Sequence, residues 1–239
     1  ALDKEYMEND EEIERLLIEA VCHKIDEYLA IIKPQNRVFI AFDGVAPVAK
    51  LEQQRNRRYK SYLLEKIKND LEKQKKKWDK TAITPGTNFM SKLAEYTTFY
   101  FKNKEKQYGI NNFIVSTSSD AGEGEHKLFG YIRNNRASHS NQVTMIYGLD
   151  ADLIMLALNH LPISKQIYLY RETPEFIKSL NRDLEPGEPY FLDIPKLAQT
   201  IRLDMTGTSV VSKKQESNLL YDYIFLCFFL GNDFMPHFP

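Results

Sequence analysis

The stretch NFIVSTSSDAGEGEHKLFGYIRNNR, residues 112–136, reads as a strand, a turn and a helix in succession. Phe113, Ile114 and Val115 form a short apolar run of aromatic and β-branched residues, the pattern of a buried strand. From His126 to Arg136 the apolar residues recur at helical spacing. Between the two lies GEGEHK, in which Glu123 and Glu125 are flanked by Gly122 and Gly124. Carboxylates at such a turn suit a hard, oxygen-binding cation. Read alone, they suit a solvated helix N-terminus equally well, because glutamate there complements the helix dipole. In a regular helix, positions i and i+2 point away from each other. Both glutamates can therefore face one site only if Gly122 and Gly124 hold the backbone out of helix.

The same alternation repeats on either side. A helix is expected over Glu8–Lys33, stopped by Pro34, and RVFIAFDG (Arg37–Gly44) reads as a buried parallel strand. A long basic helix follows from Val48 to about Trp78, and another from Asn88 to Lys104 after the Thr84–Thr87 turn. VTMIYGLD (Val143–Asp150) and QIYLYRET (Gln166–Thr173) are further strands, with a helix over Asp152–His160 between them. PYFLDIPKLAQTI (Pro189–Ile201) reads as a strand residue or two and then a helix. Residues 207–218 read as a polar, mobile loop, and the apolar segment Leu219–Leu230 as a buried helix. Alternating strands and helices predict an α/β domain with a mostly parallel central sheet flanked by helices.

Composition narrows the function classes. The chain has 239 residues and a net charge of −1. Between Lys50 and Lys80, however, twelve Lys/Arg face five Asp/Glu, so this segment carries +7 and the remainder −8. That asymmetry points to a polyanion at one surface and cations at another. The two cysteines, Cys22 and Cys227, exclude a disulfide framework and a zinc cluster and suit a reducing compartment. The longest apolar run, Ile224–Leu230, is too short to span a membrane. The chain starts without Met and stops in mid-pattern at MPHFP, and is expected to be a piece of a longer protein.

Strand ends are where α/β sheets collect their ligands. Asp43 ends the first strand, Glu123 and Glu125 follow the second, and Asp150 and Asp152 follow the third. Asp233, in GNDF, ends the last helix. Each has a plainer explanation as a turn or cap residue; Asp150, for instance, could cap the helix that begins near Asp152. Together, six clustered carboxylates demand cations to offset their repulsion. Two Mg²⁺ or Mn²⁺ ions, about 3.5–4 Å apart, would satisfy them and could drive phosphodiester hydrolysis. Just after Asp43, the residues Lys50, Gln54, Arg57, Arg58 and Ser61 share one face of the basic helix. The first four suit a terminal phosphate. The later run Lys73–Lys80 reads as a solvated face or loose backbone contact. Trp78 and His126 are expected to have structural roles, His126 beside the metal site rather than on it.

The motifs DGVAPVAKLEQQRNRRY (43–59), ITPGTNFM (83–90), GEGEHKLFGYIR (122–133), GLDADLIMLAL (148–158), IYLYRE (167–172) and FLCFFLGNDFMPHFP (225–239) occur in this order. Together they strongly resemble the N-terminal catalytic region of the XRN family of 5′→3′ exoribonucleases. The resemblance implies a PIN/flap-nuclease-like core, with residues 1–239 forming a partial nuclease domain truncated at both ends. It implies metal-dependent hydrolysis of RNA bearing a 5′-monophosphate, releasing nucleoside monophosphates. Asp43, Glu123, Glu125, Asp150, Asp152 and Asp233 would be metal-binding and catalytic, and Lys50, Gln54, Arg57 and Arg58 would hold the 5′-phosphate. A monomer inside the cell is expected, cytoplasmic rather than nuclear. Family members carry a further Asp-bearing strand upstream of the position of Ala1. They also separate the SDA and GEGEH parts by a few residues and have alanine in place of Leu149. A flap-type DNA nuclease and a catalytically incomplete RNA-binding scaffold are the alternatives.

Overall fold

The computed structural model describes residues 10–72, 78–173, 183, 185–207 and 212–232. The chain divides into two compact units, Ala1–Leu128 and Phe129–Pro239. In the first, α1 (Asp10–Ile32) leads to β1 (Arg37–Ala41) and then α2 (Val48–Glu72). After a 3₁₀ turn at Lys80–Ala82 come α3 (Asn88–Phe101), α4 (Glu105–Tyr108) and β2 (Asn112–Ser116). β1 and β2 pair in parallel, Arg37 opposite Asn112 through Ala41 opposite Ser116. The turn chemistry places the elements: Thr87 caps α3 by accepting from the Met90 N–H, and Gly109 ends α4 in the left-handed region at φ +67°.

The core of this unit has two parts. Ile18 of α1 packs with Phe89, Met90 and Leu93 of α3, and Phe42 and Trp78 close around them. Trp78 meets Phe89 edge-on at 5.0 Å, the packing role expected of it. The second part joins Cys22, Leu29 and Phe101 to Val38, Ile40, Phe113 and Val115 of the strands. Phe101 stacks on Phe113 at 4.6 Å. Asp26 of α1 accepts from the hydroxyls of Tyr100 (2.6 Å) and Tyr108, fastening α1 to α3 and α4. That bond, with burial and the carboxylate's charge behind it, pushes Tyr100 up to about 12. The helix α2 contrasts with these elements: Leu51, Tyr59, Tyr62, Leu63, Leu64 and Ile67 are all exposed along it. Residues 73–77 of the expected basic helix lie outside the described residues.

The second unit contains α5 residues from Phe129 onward (the helix runs Gly124–Asn134), α6 (Arg136–His139), β3 (Val143–Tyr147) and α7 (Ala151–Asn159). It continues through β4 (Gln166–Glu172), β5 (Pro189–Asp193), α8 (Ile194–Thr206) and α9 (Lys213–Phe229). β3 and β4 pair in parallel and β4 and β5 antiparallel. Ile167, Leu169 and Tyr170 of β4, Ala157 and Leu158 of α7 and Ile194 of α8 are all fully buried.

Four expectations are corrected here. Among the described residues the protein is α/β, but its strands form a two-stranded and a three-stranded sheet rather than one mostly parallel central sheet. β5 is a full five-residue strand, because Pro189–Asp193 finds β4 to pair with. The expected loop 207–218 is shorter, because Ser212 and Gln215 form a reciprocal capping box that starts α9 at Lys213. α9 is also less buried than its composition implies. Leu220 and Ile224 are buried, whereas Phe225, Leu226 and Leu230 are exposed, since α7 and α8 cover only one face.

Candidate metal centre

The carboxyl ends of β1 and β2 are locked together before any acidic residue is placed. The parallel ladder runs one rung past β1, with the Phe42 N–H donating to the Ser116 carbonyl at 2.9 Å. Two reciprocal backbone bonds then join the exit loops, Gly44 N–H to Gly122 O (2.9 Å) and Gly122 N–H to Val45 O (3.3 Å). The approach is so close that a Cβ on Gly44 would lie 1.9 Å from the Asp120 carbonyl oxygen. Asp120 shapes the second loop, accepting from the Ser116 hydroxyl (2.7 Å) and the Thr117 N–H (3.1 Å). Those bonds, Ser116's foremost, hold its carboxyl below the usual carboxylate range.

Lys127 completes the frame. Its ammonium donates to the carbonyls of Phe42 (2.8 Å) and Thr117 (2.7 Å), one just beyond each strand. Burial lowers its pKa, while the charges of Asp120 and Asp43 pull the other way. The sequence reading did not single out this residue, yet it is the side chain that ties the two strand exits to the helix carrying the glutamates.

On this frame Asp43 accepts from the Gly124 N–H at 2.6 Å and so caps α5 from another segment of the chain. Glu123 precedes the helix and Glu125 lies in its first turn, and their ligating oxygens converge with a ring nitrogen of His126 within 4.8 Å. The pair therefore does face one site. The glycines achieve this differently from the expectation: Gly122, at φ +95°, makes the turn, whereas Gly124 is already helical. Gly124 is needed for proximity, since a Cβ there would meet Ala41 O at 3.0 Å and Asp43 Oδ1 at 3.2 Å. His126 stands closer than a supporting role requires, with Nε2 3.8 Å from both Glu123 Oε2 and Glu125 Oε1.

Glu123 is the buried member, and Lys50 Nζ lies 2.7 Å from its Oε1, with side-chain exposures of 12% and 7%. Its Oε2 is buried without a hydrogen-bond partner. A buried carboxylate oxygen left in that condition costs free energy unless a cation takes it up. The carboxylate oxygens of Glu123 and Glu125, which converge with His126, suit Mg²⁺ or Mn²⁺, whereas Asp43 Oδ1 is held by the Gly124 N–H.

The phosphate residues lie on α2. Gln54 accepts from Arg58 at 3.2 Å, the i, i+4 contact that a shared face requires. Arg57 and Arg58 are exposed, and Lys50 reaches Glu123. Asp150 and Asp152 belong to the second unit, exposed at the carboxyl end of β3. Asp150 caps α7 through the Leu153 N–H at 2.8 Å, as the plainer explanation of it expected. Asp233 lies outside the described residues.

Strand-end carboxylates on an α/β scaffold, one of them paired with the first lysine of the basic helix, form an acidic group that could hold a metal ion. The family profile described as XRN 5′-3′ exonuclease N-terminus matches residues 2–173, and the chain belongs to that family. A second profile, the Xrn1 helical domain, matches residues 213–239. Among similar proteins are the 5′-3′ exoribonuclease 2 of Arabidopsis thaliana, 32% identical over 90% of this chain and 26% of the relative. That of Candida albicans is 34% identical over 90% and 26%, and that of Schizosaccharomyces pombe 33% over 95% and 27%. The chain thus spans about a quarter of the length of these relatives. No helix among the described residues is long and apolar enough to cross a membrane.

Proposed function

We propose that this chain is part of a metal-dependent 5′→3′ exoribonuclease that hydrolyses 5′-monophosphorylated RNA to nucleoside 5′-monophosphates, in RNA decay or processing. Residues 1–239 are a partial nuclease domain in this reading, acting as a monomer in a reducing compartment, the cytoplasm ahead of the nucleus. The observation that carries it is the buried Glu123 carboxylate, with one oxygen lacking a hydrogen-bond partner and the other held by the first cation of the basic helix. Two Mg²⁺ or Mn²⁺ ions, when bound, would supply Lewis acidity toward the phosphodiester and activate the attacking water.

The chain's own residues do the rest. Glu123, Glu125 and Asp43 hold the ion at the β1 and β2 exits, and Asp150, Asp152 and Asp233 contribute the remaining carboxylates. Lys50, Gln54, Arg57 and Arg58 grip the 5′-phosphate, so the bond attacked is always the first. A pocket matched to a monophosphate leaves triphosphate and capped ends outside. Successive hydrolysis then follows from returning each new 5′-phosphate to the same face of α2.

Decay of 5′-phosphorylated, 5′-hydroxyl and 5′-triphosphate RNA tests this, with Mg²⁺ and with EDTA. The expected result is Mg²⁺-dependent decay of the monophosphate alone, with Arg57→Ala erasing the preference over hydroxyl ends. Cleavage of a 5′-flap DNA without RNA decay would instead establish a flap nuclease. RNA binding indifferent to EDTA, with no decay in Mg²⁺, would establish a scaffold.

A further inference from the structure

Lys50 carries two assignments that its geometry sets against each other. It is one of the four residues placed on the 5′-phosphate, yet its ammonium sits on Glu123, a ligand placed on the metal. The ammonium 2.7 Å from Oε1 competes with a divalent ion for the negative charge of the same buried carboxylate. The two cations would also repel strongly in so buried a place. Lys50 lies in the first turn of α2, and Gln54, Arg57 and Arg58 follow it at i+4, i+7 and i+8. Its four-carbon stem lets the ammonium leave Glu123 and remain on the face those residues form. The burial of Glu123, with its second oxygen lacking a hydrogen-bond partner, gives an incoming ion an immediate reason to bind and Lys50 a reason to be displaced.

We infer that Lys50 is a tethered counter-ion: it holds Glu123 while the cation site is empty and is handed to the substrate's 5′-phosphate when the ion arrives. This rests on the metal and phosphate assignments proposed above and adds a coupling between them. By linkage, a phosphate that draws Lys50 off Glu123 tightens ion binding, and the ion tightens phosphate binding by the same factor. The device discriminates against incomplete states. Without the ion, Lys50 is withheld from the phosphate; without the phosphate, the ion must compete with a built-in cation.

The test reads the lysine itself. The acylation rate of the Lys50 amine by an N-hydroxysuccinimide ester is followed by mass spectrometry, with exposed Lys60 of the same helix as reference. Ion binding is measured independently by calorimetry. Saturating Mg²⁺ is expected to raise Lys50 acylation several-fold, and AMP, a 5′-phosphate monoester, to suppress it again. Lys50→Met is expected to tighten Mn²⁺ binding by about fivefold or more in the absence of phosphate. Mg²⁺ binding with Lys50 acylation unchanged overturns the hand-over and leaves the metal site standing. Acylation that rises with Mg²⁺ but ignores AMP overturns the second half, the transfer to phosphate. Absence of ion binding overturns both the site and the inference. The acylation measurement needs only the unaltered protein, so it stands even if Lys50→Met folds poorly.

Discussion

At the scale of single residues, two cations explain the site better than its acids do. Lys50 and Lys127 each sit in the first turn of a helix, where the helix dipole disfavours positive charge. Each is held there by a partner: Glu123 for Lys50, and the Phe42 and Thr117 carbonyls for Lys127. Replacing Lys127 with Met strips those two carbonyls of a donor and should cost about 1–3 kcal/mol. Denaturant unfolding reads this loss, and calorimetry should show weaker Mg²⁺ binding beside it; unchanged values in both would show that the tie carries nothing. The glutamates were legible in the sequence because glycine-flanked carboxylates at a strand-to-helix turn are unusual. Lys127 was not, because GEGEHK draws the eye to its acids; the signal available was a lysine in a first turn that already had its glutamate. The role of Gly124 is hidden from local sequence for a similar reason. Its demand comes from Ala41 and Asp43, a contact between segments that no local pattern reveals.

At the scale of elements, the strands and helices that sequence periodicity marked are present, with boundaries shifted by caps. Asp150 shows how one residue can serve two purposes. Asp150→Ala should lose both the α7 cap and RNA decay, whereas Asp150→Asn should keep the cap and still lose decay. The first substitution is expected to cost about 1 kcal/mol of stability and the second a few tenths at most. Decay retained in Asp150→Asn would leave Asp150 a cap and nothing more. What periodicity could not show was which strands pair. An apolar run such as RVFIA states that a strand is buried, and its partner is decided by packing across distant segments. The exposure of α9 has the same origin: its composition records how apolar it is, whereas α7 and α8 decide how much of it is covered.

At the scale of the whole molecule, stability depends on a buried histidine in the second unit. His160 Nδ1 is 2.7 Å from the Leu156 carbonyl, which can only accept, so Nε2 receives Arg133 Nη1 at 2.9 Å. Burial foremost, and Arg133 besides, push its pKa below the ordinary histidine value of 6.5. A depressed folded value means the unfolded chain binds the proton first. Stability is then fully present above pH 6.5 and lost as the pH falls below it toward the folded pKa. Unfolding free energies at about pH 7.5 and about pH 5.5 should differ in the native chain and differ less in His160→Gln. An equal difference in both would place the pH dependence elsewhere.

The reciprocal bonds between Gly44 and the Gly122–Val45 pair have a consequence in time as well as in space. Loop amides ordinarily exchange with solvent quickly, yet the Gly44 amide donates to Gly122 and the Gly122 amide to Val45, across segments far apart in sequence. The exits of β1 and β2 should therefore unfold as one cooperative unit. Hydrogen exchange followed by NMR should give Gly44 and Gly122 matching protection, above that of the neighbouring exposed turn at Ser119. Opening of the segments that carry Asp43 and Glu123 would then be a single rare event rather than independent fluctuation of two loops.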